Sequence, residues 1–266
     1  MKKFNYHSPK SLNECYELFK SSEFPVYLAG GMTLLPSIKQ GLSSPTDLID
    51  LNLIDEMRGI SESENYVTVG SLTTHNELAK SDIINKNISG LTSLASKIAD
   101  NAVRNRGTLG GSVSNADPAA DYPAALISLN SVIKTNLREI ESINFFLDMF
   151  ETCLEEGEII TQISFSKPDL SNYEKFASQA SKYAIVGIFS SLKKNLVKIS
   201  VTGASNKSFL LEEINNLHID DVKKLNLDDI DFNKYSINND IHASAEYRIS
   251  LIKSLTKKSL RNLIYE

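Results

Sequence analysis

Two short stretches pair glycines with hydroxyl residues: Ala29, Gly30, Gly31, Met32, Thr33, and further on Thr108, Leu109, Gly110, Gly111, Ser112. Without a Cβ, the backbone of such a stretch can take positive φ, admit a close neighbour and turn successive N–H groups toward one anion. The chemistry on offer is phosphate binding by main chain, helped by the helix dipole where the stretch stands between a strand and a helix. One such loop suits one phosphate, and two suit a pyrophosphate. A single glycine pair reads first as a tight turn, and both readings stay open for each pair. Beyond the second pair, "SNADPAADYPAAL" sets Asp117 and Asp121 around Pro118. A carboxylate there is repelled by phosphate but accepts hydrogen bonds from sugar or ribityl hydroxyls; the competing role is a turn or helix cap.

Other chemistries find less support. Neither stretch has the lysine of GxxxxGK[ST] or completes GxGxxG with an acidic residue at the next strand end, which disfavours a Walker-type NTPase and a Rossmann enzyme. His75, alone at a helix start in "TTHNEL", reads as structural. Arg104, in "VRNRG", either lends charge to a ligand or braces its own loop, and Tyr247 and Arg248 are expected to pack the last helix. No Ser–His–Asp set or carboxylate pair at persuasive spacing is present, so hydrolysis has no support and no catalytic side chain is expected. Cys15 and Cys153 are the only cysteines. They are too few for an iron–sulfur cluster or a four-cysteine zinc site, so buried thiols and no metal are expected. Acidic residues outnumber basic ones by 33 to 28 without a cationic stripe, which argues against nucleic acid. The two N-terminal lysines precede no apolar run, and no later run reaches membrane-span length; no membrane contact and a cytoplasmic location are expected.

The elements that must position these residues follow from pattern. Ser11 with Glu14 reads as a capping box opening a helix with Leu12, Cys15, Tyr16 and Phe19 on one face. "FPVYLAGGMTLLPSIKQG" reads as strand, glycine pair, then a helix ending near Gly41. "LIDL" and "YVTVGS" read as strands, and Leu91, Leu94, Ala95 and Ile98 as the stripe of a further helix. "FSKPDLSNYEK" marks a boundary near Lys167, beyond which "YAIVGIFSSL" and "LVKISVTGA" read as consecutive strands. An amphipathic helix over "DIHASAEYRISLIKSLTKKSLRNLI", with Ile249, Ile252 and Leu255 inward, closes the chain. The fold class is therefore α+β in two parts, 1–167 and 168–266, the first subdivided at about 58.

"AGGMTLLPSIKQG", "GSLTTHNEL", "VRNRGTLGGSVSNADPAADYPAAL" and "EYRISLIKSL" occur in an order that resembles the FAD-binding (medium) subunit of molybdenum hydroxylases, the xanthine dehydrogenase and carbon monoxide dehydrogenase type, over about Ser8 to Leu263. The resemblance implies a two-part FAD-binding domain of the vanillyl-alcohol-oxidase-like (PCMH) type followed by a smaller α/β domain. It implies that Val26, Tyr27, Leu28, Ala29, Gly30, Gly31, Met32, Thr33 and Leu34, with Thr108, Leu109, Gly110, Gly111 and Ser112, embrace the FAD pyrophosphate. By the same resemblance Asp121 serves the flavin's hydroxylated chain, Ile160 lines the pocket, and "KFASQASKYAIV" with Lys182 approaches the ring. Met32 and Thr33 stand where relatives have Thr-Asp, and Ser112 where Asn is usual; binding by backbone should survive both. Ser178, Gln179 and Lys182 stand where relatives carry arginine and aspartate, which puts flavin potential or docking in question. The implied role is electron transfer from iron–sulfur clusters through FAD to NAD+ or another acceptor, with molybdopterin on a large partner subunit and 2Fe-2S clusters on a small one. A non-catalytic nucleotide-binding or assembly module and a stand-alone flavin reductase are the alternatives.

Overall fold

The structure, a computed structural model, describes residues 2–265. Its first part is a three-stranded parallel sheet ordered β1 (Asn5–His7), β3 (Asp47–Asp50), β2 (Pro25–Leu28), with helix α1 (Leu12–Ser21) and helix α2 (Leu34–Gln40) as the crossovers. Ser11 caps α1 by accepting from the Glu14 amide at 3.3 Å. The Glu14 carboxylate, however, takes the Lys10 amide at 2.9 Å and not that of Ser11, so the expected capping box is only half made. Gly41 ends α2 at φ +77, the left-handed value that a glycine adopts without strain.

The second part is an antiparallel five-stranded sheet, ordered β4 (Ile60–Glu62), β5 (Tyr66–Gly70), β10 (Ile160–Ser166), β6 (Val132–Thr135), β7 (Glu139–Glu141). Strand β10 alternates as a half-buried strand should, with Ile163 and Phe165 inward. Six helices intervene between β5 and β6: α3 (His75–Ala79), α4 (Asp82–Asn87), α5 (Ser89–Ser96), α6 (Asn101–Arg106), α7 (Leu109–Asn115) and α8 (Tyr122–Ser128). A complete capping box opens α3, where Thr74 and Glu77 satisfy each other's amides. Leu91, Leu94 and Ala95 form the buried stripe of α5, but the helix stops at Ser96. Ile98 therefore lies outside it, followed by Ala99 at φ +41, and turns toward the cleft described below. A small hairpin, β8 (Phe146–Asp148) with β9 (Glu151–Thr152), precedes β10.

The third sheet begins after Pro168 and is antiparallel: β11 (Leu170–Ala177), β12 (Ala184–Lys193), β13 (Leu196–Thr202), β14 (Phe209–Leu210), with β15 (Leu217–His218) also on β13. A short helix α9 (Ile219–Val222) follows, and α10 (Ala245–Tyr265) packs on β11 and β12. Ile252 is fully buried there and Ile249 and Leu255 pack beside it. The helix starts at Ala245, later than the sequence pattern suggested, because Asp240 is held outside it as the partner of Arg248. Helix α8 is buried along its whole length between the second and third sheets. Tyr173 and Phe189 of the third sheet share a core with Val67 and Ile163 of the second, so the sheets interlock. Among the described residues no helix is long and apolar enough to cross a membrane.

Candidate functional site

Both glycine stretches open onto one cleft of about 720 Å³, within the roughly 300–1,000 Å³ of small-molecule and cofactor sites. Strand β2 ends at Leu28, Gly31 takes φ +73, and Thr33 is already helical as α2 begins. Among the described residues, the amides of Gly30, Gly31, Met32 and Thr33 meet no protein acceptor. Four consecutive N–H groups without a protein acceptor at a cleft wall are a candidate anion-binding concavity. Its position is fixed from behind: the Asn52 side-chain amide donates to the Ala29 carbonyl at 2.9 Å, and Arg58 donates to Asn52 at 3.2 Å and to the Leu72 carbonyl at 3.3 Å.

The second stretch is built differently from the loop that its sequence suggests. Thr108 is the N-cap of α7, and Gly110 and Gly111 lie in its first turn. Their amides are engaged: Leu109 donates to Thr73 O at 3.0 Å, Gly110 to Ser71 O at 2.8 Å and Gly111 to Thr108 Oγ1 at 3.2 Å, while Ser112 donates to Thr108 O at 3.0 Å. The glycines serve packing. A Cβ on Gly110 would sit 2.5 Å from Ser71 Cβ, and one on Gly30 would run into the Arg106 carbonyl. The groups that approach these glycines closely are the chain's own, and the two stretches themselves meet where a Cβ on Gly111 would lie 3.7 Å from Ala29 Cβ. Ser71, whose hydroxyl is buried without a partner among the described residues, lines the cleft beside Gly110.

Val26, Tyr27, Ala29, Met32, Thr33, Leu34, Ser112, Asp121, Ile160 and Lys182 also line the cleft, with the glycines and Thr108. Leu28 and Leu109 do not. Strand alternation and the inner face of α7 send both side chains into the core, so the expectation that they line the site holds at most for their backbone. Ser178 and Gln179 also stay off the cleft, because the turn after β11 presents Ser181, Lys182 and Tyr183 instead; Lys182 has φ +62. Asp121 is buried and already partnered: Lys175 Nζ donates to its two oxygens at 2.8 and 3.1 Å, and the Tyr173 hydroxyl donates to it as well. Burial pushes this carboxyl up, and the bonded Lys175 ammonium and Tyr173 hydroxyl oppose that push. Asp117 lines the cleft too, its carboxyl pushed up by burial.

His75 is a wall of the cleft. Its Nδ1 lies 3.0 Å from the Tyr122 hydroxyl, and burial pushes its pKa down to about 4. Arg104 braces its own segment, donating to Ile98 O at 2.7 Å and Ala99 O at 3.0 Å. Asn52 and Arg58 were not found by sequence reasoning, while Ser71, inside "YVTVGS" and "GSLTTHNEL", and Tyr183, inside "KFASQASKYAIV", lay within quoted stretches without being singled out.

Along one cleft lie the unpartnered amides of the first glycine stretch, the buried Asp121 carboxyl and apolar walls from Ile98, Val103, Leu154 and Ile160. These residues fit FAD: the orphaned amides and the unpartnered Ser71 hydroxyl are the groups a pyrophosphate would satisfy.

Residues 2–168 match the family model described as the FAD binding domain in molybdopterin dehydrogenase. The chain is similar to the glyceraldehyde dehydrogenase medium chain of Sulfolobus acidocaldarius, 31% identical with 98% of each chain covered. It is 35% identical to the carbon monoxide dehydrogenase medium chain of Hydrogenophaga pseudoflava, over 73% of this chain and 70% of that one. Among solved structures, it superposes on reconstituted CO dehydrogenase from Oligotropha carboxidovorans with a TM-score of 0.87 and 26% identity, covering 97% of this chain and 98% of the other.

Proposed function

The chain belongs to the family of FAD-binding domains of molybdopterin dehydrogenases, a FAD-binding oxidoreductase subunit, and from that premise we propose that it is the electron-transfer medium subunit of a three-subunit molybdenum hydroxylase. Its partners in this reading are a large molybdopterin-binding subunit and a small iron–sulfur subunit. Bound FAD supplies the ability to take up electrons singly and release them as a hydride, which links partner-held clusters to NAD+ or another acceptor. The chain's own residues bind and orient. The amides of Gly30 to Thr33 and the Ser71 hydroxyl hold the pyrophosphate, and Asp121, fixed by Lys175 and Tyr173, accepts from the hydroxylated chain. Lys182 and Tyr183 line the same cleft. The relatives named above differ in what they oxidise, which fits substrate choice on the large subunit. In the same reading the chain divides near residue 168, where the family match ends and the third sheet begins.

The observation that carries this proposal is the run of four unpartnered amides at the wall of a cofactor-sized cleft. The test is colour and turnover. The purified chain should show flavin absorption that bleaches on reduction, while hydroxylation of a heterocycle or aldehyde should require both partners. A colourless chain that binds ATP would replace the proposal with a nucleotide-binding module, and substrate turnover by the chain alone would overturn it.

A further inference from the structure

A second cavity, of about 190 Å³, shares no wall with the cleft. It lies where the end of α8, the β10–β11 connection and the β12–β13 hairpin meet. We propose that this cavity binds a small phosphate-type oxyanion through Lys193, Lys194 and Lys198.

Three lysines and no acidic residue line this cavity. Among the described residues none of the three lysines is in an ion pair. Lys193 Nζ donates to Ser166 Oγ at 2.8 Å and Lys198 Nζ to Asn130 Oδ1 at 2.6 Å, both neutral acceptors. Asp169, beside the cavity, is taken by the Lys194 backbone amide at 2.7 Å. Lys167, by contrast, is paired with Glu62 at 3.1 Å. In a chain of net charge −5, three unneutralised lysines on one small cavity are a local reversal of sign.

Geometry holds them together. Lys194 and Asn195 take φ +51 and +64, a tight hairpin turn that sets Lys193 and Lys194 at one end of the β12–β13 ladder. An ammonium drawn from water without a counter-ion is costly, and partial burial does hold the Lys198 ammonium below its ordinary pKa. A bound oxyanion offsets that cost, and lysine serves phosphate as a point charge. The volume suits a phosphate-sized group and excludes a second dinucleotide. The anion can be free phosphate or the phosphate of a mononucleotide.

The test is calorimetric titration of the FAD-loaded full chain with inorganic phosphate and with AMP, against potassium chloride at matched ionic strength. A parallel titration of flavin-free chain keeps this result separable from the FAD reading. Saturable phosphate binding is expected in both forms, weakened tenfold or more in Lys193→Gln/Lys198→Gln, with flavin content unchanged. Lys194→Gln, at an exposed turn, supplies a variant that folds regardless and should weaken binding about threefold. AMP binding tighter than phosphate assigns the site to a nucleotide phosphate; equal or weaker AMP binding assigns it to the free ion. No saturable binding, the same response to chloride, affinity unchanged in the lysine variants, or binding only in flavin-free chain would each overturn the proposal.

Discussion

Gly30 and Gly110 are required by packing, whereas Gly31 is required by its φ of +73, and the distinction is testable. Gly30→Ala should force the Arg106 carbonyl away from the first stretch, costing about 1–3 kcal/mol by overpacking and lowering flavin occupancy. Gly41→Ala meets nothing within 4 Å and should cost only about 1 kcal/mol of left-handed strain with flavin occupancy intact. Equal flavin loss in the two variants would contradict this account. Ser71→Ala should act with opposite signs on stability and binding. Removing a buried hydroxyl without a partner should stabilise the flavin-free chain by about 1 kcal/mol in urea unfolding while weakening FAD several-fold. Unchanged FAD affinity would remove Ser71 from the site. His75 carries a pH prediction. Its folded pKa of about 4 lies below the ordinary 6.5, so the unfolded chain binds the proton first. Stability from this group is complete above pH 6.5 and is lost as pH falls toward 4, by roughly 2–3 kcal/mol. His75→Gln should flatten that dependence in urea midpoints measured from pH 7.5 to 4.5.

Helix α10 shows how an element is fixed by one buried charge. Arg248 donates to Ile185 O at 2.8 Å, to Gly203 O at 2.7 Å and to both oxygens of Asp240, tying the helix start to the third sheet. Arg248→Ala strands two buried carbonyls and should cost about 3 kcal/mol; Asp240→Ala, whose carboxylate is partly exposed, should cost less. A thermal shift equal in both variants would mean that the ion pair, and not the carbonyls, carries the anchoring. Helix α7 makes the complementary point. Its N-terminus is docked by the run of Thr73 and Ser71 carbonyls on Leu109 and Gly110, so the second stretch supplies shape and the Thr108 cap more than free donors.

For the whole molecule, the three sheets enclose a cleft whose walls come from segments far apart in the chain, and the proposed partnership predicts a division of labour. With an external reductant the chain alone should reduce NAD+ or dyes slowly, and addition of the two partners should raise substrate-linked reduction by orders of magnitude; a rate unaffected by the partners would remove the subunit reading. The sequence by itself determined what local chemistry dictates. The β2–glycine–α2 unit, the end of α2 at Gly41, the strand over Tyr66–Gly70, the buried face of α10 and the order of the family's motifs were all legible because neighbouring residues specify them. Only the tertiary structure decided which amides stay unpartnered. That Gly110's N–H is consumed by Ser71 while those of Gly30 to Thr33 are not depends on where a distant strand end lands. The same holds for Asp121, whose partners Lys175 and Tyr173 lie on a strand of the third sheet, and for the three lysines that face one cavity. Periodicity reports which side of an element is apolar; which polar groups face one another across elements is set by packing, where sequence separation carries no information.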